Sequence, residues 1–179
     1  MNVAVRYYSR GGHVKLMAEA LARGAGVEAI SIDDPKAKLT KPVDLLFIGG
    51  ALYNFQIDQK VKDYIETLSP ELVTDRAICF GSSWLTRRPV YLIQEKVKNR
   101  GITVSPQALY ARGNPKQIIL DAAEVFAEME ANRDADDDAA RPKPYVYVVK
   151  ADERNEAAAL AEEDEDYEEE DAVSAEGEE

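Results

Sequence analysis

The chain has 179 residues, enough for one domain with a segment to spare, and its formal net charge is −12. The charge is uneven, because residues 134–179 hold 19 acidic and 4 basic side chains (net −15) while residues 1–133 hold 15 and 18 (net +3). The one cysteine, Cys79, excludes an internal disulfide and fits a reducing compartment. No apolar run is long enough to span a membrane and no signal peptide precedes the first predicted strand, so we expect a cytoplasmic protein.

The first twenty residues carry the clearest local pattern. Residues 2–8 are β-branched and aromatic and predict a strand, which the segment Ser9–Gly12 interrupts. From His13 the apolar residues follow helical spacing. A strand, a glycine-rich turn and a helix start direct backbone N–H groups outward, where the helix dipole favours a phosphate. A tight turn without a ligand is an equally good interpretation of this pattern alone.

Two further strands follow. Residues 26–32 predict a second strand, and residues 43–48 predict a central strand that is covered on both faces, because they are mostly apolar. The segment between them, residues 35–42, holds two prolines and is too short for a full crossover helix, so we expect a loop or a turn there. The central strand is expected to end at Gly49 and Gly50.

The alternation continues through the rest of the body. Residues 57–68 have helical spacing, residues 77–80 predict a buried strand ended by Gly81, and Pro89 opens another helix. Pro106 lies within the next predicted strand, residues 102–110, and predicts that this strand forms a sheet edge. The expected buried face of the last helix consists of Ile118, Ala122, Val125, Phe126 and Met129.

Five strands that alternate with helices predict an α/β fold with a doubly wound parallel sheet. The domain is expected to span residues 1–133, and residues 134–179 are expected to form an acidic low-complexity tail. Within the tail, residues 145–149 form a short β-prone island. The simplest interpretation of the island is a loosely ordered patch, and the alternative is that it adds a strand to a sheet edge of this domain or of a partner.

Ligands of such sheets bind beyond the carboxyl ends of the strands. Two of the turns expected there carry large aromatic residues, Tyr53 and Trp84, beside the small polar residues Asn54, Ser82 and Ser83. A flat heteroaromatic ligand with a phosphate tail suits this set, because the aromatic rings can stack on it and the first turn can take the phosphate. Either aromatic residue can instead cap the hydrophobic core.

Residues 1–133 resemble flavodoxins, in the short form without an insertion in the last strand. Three segments carry the resemblance: the FMN phosphate loop (Ser9, Arg10, Gly11, Gly12, His13, Val14), the loop after the third strand (Gly49, Gly50, Ala51, Leu52, Tyr53), and the second flavin loop (Gly81, Ser82, Ser83, Trp84). The resemblance implies the strand order 2-1-3-4-5, an FMN cofactor and a protein redox partner. It implies an electron carrier or a small FMN-dependent oxidoreductase.

The chain departs from the family in the phosphate loop. Flavodoxins usually have hydroxyl side chains where this chain has Gly11 and Val14, and asparagine where it has His13; only Ser9 keeps its hydroxyl. Arg10 is the expected substitute, because a guanidinium can bind a phosphate bidentately. Three further arginines fall in turns on the same rim: Arg87, Arg88 and Arg112.

Other classes of function fit the sequence less well. A receiver domain needs acidic residues where the first and third strands end, and a Rossmann dinucleotide site needs glycines at a spacing that is absent here. With His13 as the only histidine and Cys79 in a buried run, neither a metal site nor a His-based triad is expected. No nucleic-acid or membrane partner is expected. The alternative function is a flavin-free flavodoxin-like module whose acidic tail contacts partners.

Overall fold

The structure, a computed structural model, describes residues 1–133 and 146–148. The chain divides into one unit of Met1–Val149 and a second of Lys150–Glu179, the latter outside the described residues. The domain boundary at residue 133 and the acidic tail stay predictions. In the described part of the chain, no helix is long and apolar enough to cross a membrane.

Within the described residues, seven strands form one sheet. In chain order they are β1 (Val3–Tyr7), β2 (Ala29–Ser31), β3 (Val43–Tyr53), β4 (Gln56–Ile57), β5 (Val73–Ser83), β6 (Val104–Arg112) and β7 (Val146–Val148). The spatial order is β2-β1-β3-β5-β6-β7, all parallel, with β4 antiparallel to β3. The doubly wound sheet is therefore confirmed, as is the order of its five predicted strands.

In residues 1–133, four α-helices cover the two faces of the sheet: α1 (His13–Gly24), α2 (Gln59–Glu66), α3 (Arg88–Asn99) and α4 (Gln117–Ala131). Buried residues of α1 and α4 share one core with one face of the sheet, and those of α2 and α3 share the other core. The second crossover contains only a 3₁₀ turn, Pro35–Ala37, as its length and prolines predict. The carboxyl ends of the parallel strands β1, β3, β5 and β6 accordingly lie along one edge of the sheet.

β3 and β5 continue through glycines that the sequence pattern suggests as strand ends. A Cβ atom at Gly49 would lie 2.3 Å from the Phe80 ring, and one at Gly81 would lie 2.8 Å from the carbonyl oxygen of Gly50. These glycines therefore permit close approach within the sheet and do not end the strands. The two strands reach Tyr53 and Ser83 as a result.

The strand that contains Pro106 is not at the sheet edge, so that prediction is wrong. β7 pairs with Ala108–Tyr110 of β6, which shows that the β-prone island adds a strand to the sheet. Pro106 has no N–H to donate, but it lies where the register between β5 and β6 shifts, between Val104 and Ala108, and outside the residues that pair with β7. The irregular register therefore allows a proline within a strand that is paired on both sides.

The buried face of α4 also differs from the prediction. Ile118, Val125 and Met129 are 67%, 56% and 61% exposed. The buried residues are Ile119, Ala123, Phe126, Ala127 and Glu130. The carboxylate of Glu130 forms ion pairs with Arg76 (3.0 Å) and Arg133 (2.7 Å), so a charged residue occupies a core position that a pattern of apolar residues cannot predict.

We expect Phe126→Ala to lower the free energy of unfolding by about 3–5 kcal/mol, because the Phe126 ring packs in the core beside Phe47, 6.4 Å between centroids. The neighbouring Val125→Ala is the matched control and should change stability by less than about 0.5 kcal/mol, because Val125 is exposed. Urea denaturation followed by circular dichroism measures both. A larger loss for Val125→Ala would contradict the observed face of α4.

Candidate functional site

The three predicted segments meet at the carboxyl end of the sheet. The backbone N–H of Arg10, in the turn after β1, donates to the Tyr53 hydroxyl at 2.9 Å. On the other side of the same turn, the His13 ring meets the edge of the Trp84 ring, with 6.3 Å between centroids. The turn before α1 thus touches both aromatic residues that the sequence singles out.

The N-terminus of α1 lacks a side-chain cap. Gly12 precedes the helix in a left-handed conformation (φ 84°), makes no side-chain hydrogen bond, and no acidic residue lies in the first turn. A Cβ atom at Gly11 or at Gly12 would have no neighbour within 4 Å, so the space over the turn is open. Val14 is buried in the core, while Ser9 and His13 are half-buried. The first N–H groups of the helix are therefore available to an anion.

Arg10 is held by two groups of the protein. Its guanidinium lies 4.3 Å from the centroid of the Tyr53 ring and forms an ion pair with Asp58. Asp58 also caps α2, because its Oδ1 accepts the Lys60 N–H at 2.9 Å. The hydrogen bond to Asp58 raises the pKa of the Arg10 guanidinium. Burial raises the pKa of the Tyr53 hydroxyl, although the Arg10 N–H acts in the opposite direction.

Asp58 and the hairpin that precedes it are not among the features that the sequence pattern indicates. Asn54 and Phe55 connect β3 to β4 with φ angles of 51° and 58°, the pattern of a type I′ turn. Phe55 is 63% exposed and adopts a conformation that bulky residues rarely take, so the turn lacks the Asn-Gly signal that predicts a hairpin. Asp58 could have been found as an N-cap, one residue before α2.

The serines at the end of β5, Ser82 and Ser83, are engaged with the protein itself. The Ser82 hydroxyl donates to the Gly113 carbonyl at 2.9 Å, and the Ser83 hydroxyl accepts the Thr86 N–H at 3.1 Å. Tyr110 donates its hydroxyl to the Ser83 carbonyl at 3.0 Å. These bonds fix the loop between β5 and α3 against the end of β6.

Trp84 leaves this loop with its ring 68% exposed. A Cβ atom at Gly113 would lie 2.9 Å from the Trp84 ring, so the ring packs over the Gly113 backbone. Arg112 donates from Nε to the Trp84 carbonyl at 3.0 Å, which fixes the backbone beneath the ring. Of the other rim arginines, Arg87 precedes α3 as its N-cap residue and Arg88 is the exposed first residue of that helix.

The remaining predicted residues have structural positions. Ala51 and Leu52 are half-buried in β3, where Ala51 pairs with Ser82 and Leu52 pairs with Ile57 of the hairpin. Asn54 is exposed at the hairpin turn. The described residues contain no cluster of histidine, cysteine and acidic side chains that could hold a metal ion.

No protein-family model matches the chain, and no curated protein is similar to it. Solved structures share its fold. A flavodoxin from the domain Archaea is 21% identical with a TM-score of 0.60, over 74% of this chain and all (100%) of that one. Oxidised flavodoxin 1 from Bacillus cereus is 19% identical with a TM-score of 0.60, over 75% of this chain and 100% of that one.

Rubredoxin oxygen:oxidoreductase from Desulfovibrio gigas is 15% identical with a TM-score of 0.63, and the match covers 72% of this chain but 35% of that one. Both small flavodoxins are covered over their whole length. The chain therefore has the flavodoxin-like fold, as the three loop segments predict.

We expect Gly113→Ala to destabilise the protein and to displace the Trp84 ring. A left-handed conformation costs a residue with a Cβ about 1–2 kcal/mol, and the added methyl group would also press against the ring. Gly26→Ala is the matched control, because Gly26 has a similar φ (67° against 64°) and open space around it. Since Trp84 is the only tryptophan, its fluorescence should shift in Gly113→Ala and stay unchanged in Gly26→Ala.

Proposed function

We propose that this protein binds FMN and takes part in electron transfer or in small-flavoprotein redox chemistry. The observation that carries the proposal is the open, uncapped N-terminus of α1 in contact, through His13, with the exposed Trp84 ring. An anion-binding backbone beside an exposed aromatic surface fits a flat ligand with a phosphate tail. The solved flavodoxins of the same fold support the choice of flavin.

The phosphate end would be held by the turn before α1. The space over Gly11 and Gly12 is open, and the helix dipole adds a partial positive charge at the helix start. Arg10 lies in the same turn and is 58% exposed, so a cation is within reach of that position. Val14 has no hydroxyl and is buried, so the phosphate would depend on backbone N–H groups, Arg10 and Ser9.

The ring end would be held mainly by Trp84. Its ring is exposed, whereas one face of the Tyr53 ring is covered by the Arg10 guanidinium. Phe55, at the exposed hairpin turn, is a second aromatic surface that the sequence analysis did not select. Bound flavin supplies the redox chemistry, and the protein contributes stacking, backbone hydrogen bonds and the charges of the rim arginines.

A protein redox partner and a location in the reducing cytoplasm belong to the same proposal. The exposed Arg88 and Arg112 leave positive charge at the rim, which suits a partner with an acidic surface. The one thiol, Cys79, is buried in β5, and burial raises its pKa well above the usual value, so it is kept from redox chemistry of its own.

One observation favours the flavin-free alternative as a second candidate. The hydroxyls of Ser82 and Ser83 and one face of Tyr53 are already engaged within the protein. A protein that had lost flavin would satisfy these groups internally. In that case residues 134–179 would supply the contacts with partners.

Titration with FMN, followed by the fluorescence of the flavin, tests the proposal. We expect Trp84→Ala to weaken FMN and riboflavin binding equally, by about 3–10-fold, because the pair of rings contributes about 0.5–1.5 kcal/mol. Tyr91→Ala, which removes an exposed aromatic residue of α3, is the control and should change neither affinity. A purified full chain with no flavin absorbance band and no titratable flavin binding would establish the alternative instead.

A further inference from the structure

Arg10 is already paired with an anion inside the protein. Its guanidinium forms an ion pair with the Asp58 carboxylate, whose side chain is 4% exposed, while the Arg10 side chain is 58% exposed. We propose that Asp58 competes with the ligand's phosphate for Arg10 and thereby sets how strongly the site prefers FMN to riboflavin, an inference that rests on the proposed function. Asp58 is thus a specificity-determining residue that need not touch the flavin.

Asp58 is fixed in place by α2. Its Oδ1 accepts the Lys60 N–H at 2.9 Å, and its backbone carbonyl accepts the Val61 N–H at 3.0 Å and the Lys62 N–H at 3.2 Å. The N-terminus of a helix also stabilises a negative charge. Of the two partners, the carboxylate is therefore fixed and the exposed arginine is the one that can change its position.

The Arg10 guanidinium can bind either the Asp58 carboxylate or a phosphate. A guanidinium has five N–H donors in a planar fork and binds carboxylates and phosphates in the same manner. Its backbone lies two residues before Gly12, at the open end of α1, where a phosphate would sit. FMN binding would exchange the Asp58 carboxylate for the phosphate, whereas riboflavin would leave the ion pair intact.

Only the affinity for FMN is lowered by the need to break the Arg10–Asp58 ion pair. A hydrogen bond between charged groups is stronger than one between neutral groups. The free energy needed to break the Arg10–Asp58 pair therefore offsets part of the binding free energy that the FMN phosphate contributes. The Arg10 N–H that donates to the Tyr53 hydroxyl belongs to the backbone and does not depend on Asp58. Neutralising Asp58 therefore removes the competing charge from the guanidinium, which keeps its contact with the Tyr53 ring, and leaves in place the contact that holds the turn.

Asp58→Asn separates the charge of Asp58 from its role as a cap. Asparagine keeps the oxygen that accepts the Lys60 N–H and is as good an N-cap as aspartate. In the flavin-free full chain, we expect Asp58→Asn to tighten FMN binding about tenfold and to leave riboflavin binding within about twofold. Quenching of Trp84 fluorescence by each flavin measures the affinities.

Asp34→Asn is the matched control. Asp34 caps the 3₁₀ turn at Pro35–Ala37 through the Lys36 N–H at 2.8 Å and has no contact with Arg10. It should change neither affinity. Arg10→Ala should reduce the preference for FMN, and adding Asp58→Asn to Arg10→Ala should restore none of it, because the gain passes through Arg10.

An unchanged ratio of the two affinities in Asp58→Asn would show that Arg10 does not reach the phosphate, and a smaller preference for FMN would show that Asp58 positions Arg10 for it. Both results overturn the proposal. If neither flavin binds the wild-type chain, the proposed function fails as well. In that case, a titration with inorganic phosphate tests the competition itself, with the NMR signal of the Arg10 Nε–H group as the readout. We expect this signal to shift at a lower phosphate concentration in Asp58→Asn than in the wild-type chain. Equal responses of the two proteins would exclude competition.

Discussion

The close approach of β3 and β5 at their carboxyl ends is the constraint on which the candidate site depends. At Gly49 the Phe80 ring takes the space of a side chain, and at Gly81 the Gly50 carbonyl does so. Larger residues there would separate the two central strands. Because the glycines allow both strands to continue, the loops that follow them reach the turn before α1 and contact it from two sides.

That turn combines two features that oppose each other. The uncapped start of α1 leaves N–H groups without a side-chain acceptor, because the N-cap residue is Gly12. The turn also carries Arg10, whose charge is balanced by Asp58 rather than left free. The backbone of the turn is thus prepared for an anion, while its one cationic side chain is held by a carboxylate of the protein itself.

The sequence predicts those parts of the fold that depend on local pattern. Alternating strands and helices give the sheet and its order, and the glycine-rich turn gives the start of α1. The prediction is wrong for the face of α4, where Glu130 is buried and paired with Arg76 while Met129 is exposed. The sequence does not predict the hairpin, because Asn54 and Phe55 adopt left-handed conformations and the turn contains no glycine. In both cases tertiary contacts override local preference.

The site was predictable as a location but not as a set of interactions. Trp84 and Tyr53 lie beside the turn before α1, yet Tyr53 is bound to Arg10 and the nearby serine hydroxyls hold the loops together. In the proposed function, discrimination between FMN and riboflavin rests on the phosphate end, because the two flavins share the same ring. The Arg10–Asp58 pair at that end joins residues 48 positions apart. No pattern within either segment reveals that pair, because it exists only once β1 and α2 are brought to the same edge of the sheet.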